Sequence, residues 1–421
     1  AMAPGGAAGD TPGRVDPRSA PLGSDFRISG VLATALDSQP AAAWNAEADE
    51  YLVVWQDQRY LSTRGVEIAA QRVSATGAPL GVNFGIGGPS ATASEYLPAV
   101  AWNETRNQYL VVWSDSRNAD TRGMDIYGQR VSASGERLRG NFLISGPGAS
   151  AEETQPSVAW NATANEYLVV WEDRRNQHTS GSDIYGQRLS AAGERLGDDF
   201  RISGALATSM ERDAAVVWNS QTNEYLVVWA DQRNRVARGL DIFGQRVAST
   251  GRRIGGNFRI SGADAVGDDT EPMLAYNADA NQYLVVWEDG RDGFGSTEIY
   301  GRRVRGDGKR LRPDFRVSGF RWSTGGLLPV VAWNAKVNRY LVVWADRRNE
   351  STSGYDIYAR EVSRRGIPRG DDFRVGGPGA LAHEGAPGIA YNATLNQYLV
   401  VWQDRRDPAR DYDIWGRRVN G

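Results

Sequence analysis

The residues able to do chemistry in this chain come in sets of seven. Trp-x-Asp-x-Arg recurs with its acids at Asp57, Asp115, Asp173, Asp231, Asp289, Asp346 and Asp404 and its arginines at Arg59, Arg117, Arg175, Arg233, Arg291, Arg348 and Arg406. A second acid follows in each unit: Glu67, Asp125, Asp183, Asp241, Glu298, Asp356 and Asp413. A carboxylate two residues from an arginine has two uses. Paired with the guanidinium, it makes a bidentate ion pair that fixes a loop. Left free, a rim of loop carboxylates supplies hard oxygen ligands for calcium. Seven equal copies favour the first use, because a catalyst needs one asymmetric constellation.

A third set stands seven residues before an aromatic: Asp37, Glu95, Glu153, Glu211, Asp269 and Glu384, with Gly326 at the remaining position. These are expected to circle the mouth of a central channel. There they either accept from a neighbouring Arg or loop N–H, or form a negative funnel for a cation. Asp37, Glu95, Glu153, Glu211 and Asp269 are thus the metal candidates, with calcium as the ion. The symmetry breaks around Gly326, where Phe320-Arg321-Trp322 puts Trp322 in the place of Ala33, Ala91, Ala149, Ala207, Ala265 and Ala380, and where the next unit brings His383 beside Glu384. Phe320, Arg321, Trp322, His383 and Glu384 form the expected ligand site. For a catalyst, Glu384 or His383 would move the proton and Arg321 would hold an anion.

The elements that position these residues follow from a period. Tyr-Leu-Val-Val-Trp occurs seven times, ending at Trp55, Trp113, Trp171, Trp229, Trp287, Trp344 and Trp402, at intervals of 58 residues with one of 57. Such a period means a solenoid, propeller or array. One unit reads as four short strands, 155–161, 166–173, 183–189 and 199–203, separated by Asn, Gly and Ser clusters. The second is apolar on both faces, so it is covered on both, as in stacked propeller blades. The last unit lacks a fourth strand, whereas residues 24–30 (Asp25-Phe26-Arg27-Ile28-Ser29) spell a spare one. The expectation is an all-β, seven-bladed propeller of four antiparallel strands per blade over 12–421, its ring closed by the N-terminal strand. Residues 1–11 are expected to be a disordered tail without a signal peptide.

Composition narrows the chemistry. The 421 residues carry a net charge of −3, no Cys, two His and two Lys. Thiol catalysis, disulfides and Cys or His-rich metal sites are excluded. The near-neutral charge argues against nucleic acid, and no apolar run spans a bilayer. No nucleophile elbow or phosphate loop is present. Asn103, Asn161 and Asn392 open glycosylation sequons, but turn chemistry accounts for them.

Units with a Val-Val-Trp strand followed by Asp-Ile-Tyr-Gly-Gln-Arg-Val, as at 169–171 and 125–131, resemble repeats of large secreted and surface proteins of bacteria. They are also similar to the propeller domain of cyanobacterial enzymes that alkylate aromatic rings. The resemblance implies a propeller and a secreted or cell-surface location, and leaves function open. The first expectation is an extracellular, non-catalytic binding or scaffold protein, monomeric and without a cofactor. Its loop face would take a protein, glycan or small molecule. The alternative is an enzyme at the channel mouth near blades six and seven, for which the resemblance implies carbon–carbon bond formation on an aromatic ring. A second alternative is a calcium- or glycan-binding propeller.

Overall fold

The computed structural model describes residues 19–30, 36–88, 93–146, 151–204, 209–262, 266–291, 293, 297–319, 325–377, 383–407 and 411–421. Seven four-stranded antiparallel sheets form a ring of blades. In blade three the strands are Glu153–Asn161, Glu166–Asp173, Asp183–Ser190 and Phe200–Arg201, running from the channel to the rim. The expected first strand therefore starts two residues earlier, at the acid. The strand two–three loops of blades two and four carry single-turn helices, Ala119–Arg122 and Arg235–Arg238, which no sequence period announces.

The Tyr-Leu-Val-Val-Trp strands are the core. Tyr167, Leu168, Val169, Val170 and Trp171 are wholly buried. Alternation splits them between two clusters. Leu168 and Val170 pack against Tyr225, Val227 and Trp229 of blade four. Tyr167, Val169 and Trp171 pack against Leu110 and Val112 of blade two. Each blade is thus glued to both neighbours by one strand. The same contact joins Leu399 and Val401 of blade seven to Tyr51, Val53 and Trp55 of blade one. Closure is also made by hydrogen bonds. The strand Pro21–Arg27 pairs antiparallel with Asp413–Asn420, with Phe26 opposite Gly416. It begins and ends three residues earlier than expected. The tail 1–11 lies outside the described residues.

One irregularity positions the site. Every innermost strand carries a β-bulge after its second residue. Its third residue sits at positive φ: Gln39, Leu97, Gln155, Asp213, Glu271, Leu328 and Ala386, at 45–58°. A bulge re-aims a side chain, and all seven of these residues line the central channel.

Candidate functional site

The expected rings fall into two classes. In the Trp-x-Asp-x-Arg set each arginine lies 2.5–2.6 Å from its aspartate. In blades two to seven the aspartate also accepts the Trp Nε1–H of its own strand at 2.9–3.2 Å. These are the loop-fixing ion pairs. Most acids of the second set take the fourth-strand arginine, as in Arg316–Glu298 at 2.5 Å and Arg374–Asp356 at 2.5 Å.

The third set is not at the channel mouth. Asp37, Glu95, Glu153, Glu211, Asp269 and Glu384 are at most 1% exposed and lie between blades. The second residue of the bulge offset explains this: position one faces the neighbouring blade, and position three faces the channel. Ile68 and Ile357 donate their N–H to Glu95 Oε2 and Glu384 Oε2 of the next blade, at 2.9 and 2.8 Å. Four of the six lie 3.5–3.9 Å from a loop arginine. Burial pushes their carboxyls up to about 8, and that of Asp269 to about 9, with the neighbouring aspartates adding to the effect. Glu95, Glu211 and Glu384 each accept a strand-three N–H of the preceding blade and so link two blades. As metal candidates they are held one per blade, and among the described residues no three His, Cys, Asp or Glu side chains converge as a cage.

The asymmetric loop, with Phe320, Arg321 and Trp322, lies outside the described residues. His383 accepts the Tyr355 N–H through Nδ1 at 3.4 Å and meets the Tyr355 ring edge-on at 4.9 Å. It is not among the residues lining the channel. The sequon residues Asn103, Asn161 and Asn392 are buried. Asn161 donates to Asn223 of the next blade at 2.9 Å, in a ladder repeated by Asn45–Asn107, Asn219–Asn281, Asn277–Asn338 and Asn334–Asn396.

The channel itself is asymmetric in a way the sequence reading missed. Its cavity, about 250 Å³, has a collar of prolines (Pro40, Pro98, Pro156, Pro272, Pro329, Pro387) and two acids, Asp213 and Glu271, from adjacent blades. The Glu271 backbone N–H and the Gln155 side chain both favour the ionised form of Asp213. The bulge N–H is elsewhere held by a second-strand side chain: Gln56 accepts from Leu97 at 2.7 Å, and Glu288 from Leu328 at 2.6 Å. Blade four has Ala230 at that position, which has no side-chain acceptor for the Glu271 N–H.

Burial raises both carboxyls of the pair. Burial, then Asp213 and Glu288, push Glu271 up to about 8. Asp213 is raised by its own burial, but Arg212, with Nε 3.5 Å from Oδ2, favours its ionised form. Glu172 is raised by burial with a contribution from Asp213. In blades three to five, Glu172, Asp213, Glu271 and Glu288 are all raised by burial, and Asp213 adds to the rise of the other three. On the opposite side, a funnel of about 800 Å³ is lined by Tyr96, Tyr412, Gln39, Gln56, Leu97 and Gln403, with Glu152 as its one acid. Acids at non-repeated positions of the repeat were the available signal.

No protein-family model matches the chain, and neither does any curated protein. Solved structures do match. An α-L-arabinofuranosidase of Fusarium graminearum is 11% identical with a TM-score of 0.52, over 77% of this chain and 92% of that one. An α-L-arabinanase of Penicillium chrysogenum is 11% identical with a TM-score of 0.51, over 95% and 98%. A sialidase of Streptococcus pneumoniae is 9% identical with a TM-score of 0.51, over 95% and 71%. At such identities the likeness establishes the shared propeller alone. It corrects two expectations nonetheless. Sevenfold symmetry and missing motifs favour a non-catalytic binding or scaffold protein, yet these three matching propellers are an arabinofuranosidase, an arabinanase and a sialidase. A symmetric scaffold is therefore no argument against catalysis. These matches lend no support to the resemblance to ring-alkylating enzymes.

Proposed function

We propose that this protein is a glycan-cleaving enzyme whose active site is the carboxylate pair Asp213 and Glu271 at the channel. The observation carrying the proposal is the pair itself: two carboxyl groups from adjacent blades that face one cavity, both raised by burial, with Arg212 beside Asp213. Cleaving a glycosidic bond needs such a pair. Glu271, holding its proton, donates it to the leaving oxygen. Asp213, whose ionised form Arg212 favours, acts as nucleophile or as base toward water. The proline collar and Met273 give an apolar platform for the C–H face of a sugar. The enzymes that share the fold act on arabinose-containing or sialic-acid glycans, which sets the first substrates to try. The site moves from blades six and seven, where Glu384 is buried between blades, to blades four and five. Secretion or surface display belongs to the same proposal.

The test is hydrolysis of nitrophenyl arabinofuranosides, arabinan oligosaccharides and a methylumbelliferyl sialoside. The expected result is turnover of at least one, with Glu271→Gln slower by roughly a hundredfold or more, the scale of a lost general acid. The alkaline limb of the rate should fall near pH 8, as Glu271 loses its proton. No turnover by the wild type, or an unchanged rate in Glu271→Gln, overturns the assignment.

A further inference from the structure

The strongest site outside the channel is in blade one, where three repeated side chains are missing together. In the other six blades the loop arginine lies flat on a ring from strand three. Arg117, Arg175, Arg233, Arg291, Arg348 and Arg406 stack on Tyr127, Tyr185, Phe243, Tyr300, Tyr358 and Trp415, with the guanidinium carbon 3.8–4.0 Å from the ring centre. In blade one the ring is replaced by Ala69, opposite Trp55 in the sheet just as Tyr185 is opposite Trp171. The fourth-strand arginine of the repeat, Arg201 in blade three, is replaced by Gly85. A Cβ added at Gly85 would meet nothing within 4 Å. The fourth-strand aspartate that caps the loop arginine in blades three, five, six and seven is replaced by Asn83, which turns away to the Ile28 carbonyl and to Gln71 Oε1.

These losses leave a cavity of about 400 Å³, and Arg59, Tyr60, Arg64, Glu67, Ala69 and Phe84 are among its walls. It shares no lining residue with the channel. Arg59 keeps its ion pair with Asp57 at 2.6 Å, but its Nη2, though buried, has no hydrogen-bond partner among the described residues. Among the described residues no ring is recorded over its face, and Tyr60, which lines the same cavity, pairs with Arg64.

We infer that the blade-one cleft is a binding site for a planar aromatic ring. The molecule itself writes the chemistry of the missing group six times. A guanidinium held flat by an aspartate attracts the face of a ring, and here the cation is in place while the ring is absent. The ring would fill space that Ala69 and Gly85 leave empty, and Phe84 would contact its edge. The inference does not rest on the channel chemistry, so a failure of glycan cleavage leaves it standing.

The experiment is a titration of the full chain with p-cresol and with indole, which copy the tyrosine and tryptophan rings of the other blades, followed by ligand-observed NMR. Cyclohexanemethanol is the non-aromatic control. The wild type should bind both aromatic probes and bind the control at least several-fold more weakly. Arg59→Met, which keeps bulk and removes the cation, should weaken p-cresol roughly tenfold. Ala69→Tyr restores the repeated ring; it should abolish probe binding and raise the melting temperature. The inference is overturned if neither probe titrates, if the control binds as tightly as p-cresol, or if Arg59→Met binds as the wild type does. It is also overturned if a folded Ala69→Tyr still binds. Arg59→Met decides the matter if Ala69→Tyr does not fold.

Discussion

Two sets of residues stand only two positions apart on the seven innermost strands, and they have opposite fates. Position one is acidic in six blades and buried between sheets, and Glu95, Glu211 and Glu384 accept an N–H of the preceding blade there. Position three is Gln, Leu, Gln, Asp, Glu, Leu and Ala in turn, and all seven face the channel. The bulge between them makes the difference, because it turns position three out of the sheet face. Repetition therefore marks what holds blades together. Variation marks what differs from one side of the channel to the other, and asymmetry is what a reaction needs.

The largest expected contrast lies within one strand. Asp213→Asn should lower glycan hydrolysis roughly a hundredfold or more, since it removes one of two catalytic carboxyls. Its melting temperature should stay close to that of the wild type. Glu211→Gln, two residues away, should do the reverse: activity retained, stability altered. Rates and melting curves of the two variants test the division together. Equal activity losses would erase the distinction between the positions.

Much of this was readable in the sequence. The period of Trp55 to Trp402, the two-faced Tyr-Leu-Val-Val-Trp strand and the spare strand near Phe26 dictate the seven blades and their closure, as observed. The ion pairing of Asp231 with Arg233 followed from spacing alone. What did not follow was which acids see the channel. Strict alternation from Asp37 or Glu211 puts positions one and three on the same face. Positive φ at a non-glycine residue, mostly just before a proline, is a tertiary feature that no local rule announces. Asp213 and Glu271 therefore passed as ordinary strand residues, and the buried acids were read as the channel rim.

A smaller effect probes the repeated class at another ring. Asp231→Ala leaves Arg233 on the Phe243 ring but without its carboxylate. The loss should be roughly 1–3 kcal/mol, the scale of an orphaned polar group. Chemical denaturation measures it, and hydrolysis by the folded protein should not change.

The position-one acids also make a pH signature. Their folded-state values, about 8 to 9, lie far above the ordinary carboxylate range near 4. The folded chain thus holds protons that the unfolded chain has released. Stability from these groups is fully present below the unfolded value and is lost as pH rises through the folded one. The melting temperature should fall between pH 6 and pH 9. Glu95→Gln removes one titrating group of six, so its melting curve should fall less steeply over that range. A wild-type melting temperature that rises with pH would refute neutral acids between the blades.

The smallest net effect comes from exchanging two solutions to one problem. The strand-three N–H of Ile126, Ile184, Ile242, Ile299 and Ile414 is held by a serine hydroxyl, from Ser145, Ser203, Ser261, Ser318 and Ser29, at 3.0–3.1 Å. Blades one and six have Gly87 and Gly376 there, and the carboxyls of Glu95 and Glu384 take over. The substitution is steric as well as chemical, for a Cβ on Gly87 would lie 1.8 Å from Glu95 Oε1. Glu95→Ala should therefore cost roughly 1–3 kcal/mol by orphaning the Ile68 N–H. Gly87→Ser alone should also destabilise, through the clash. The double variant should recover most of both losses, because the hydroxyl then fits where the carboxyl was and accepts the same N–H. A double-mutant cycle by denaturation reads the coupling directly. Additive losses would mean that Glu95 holds the blades by some contact other than the one it shares with serine.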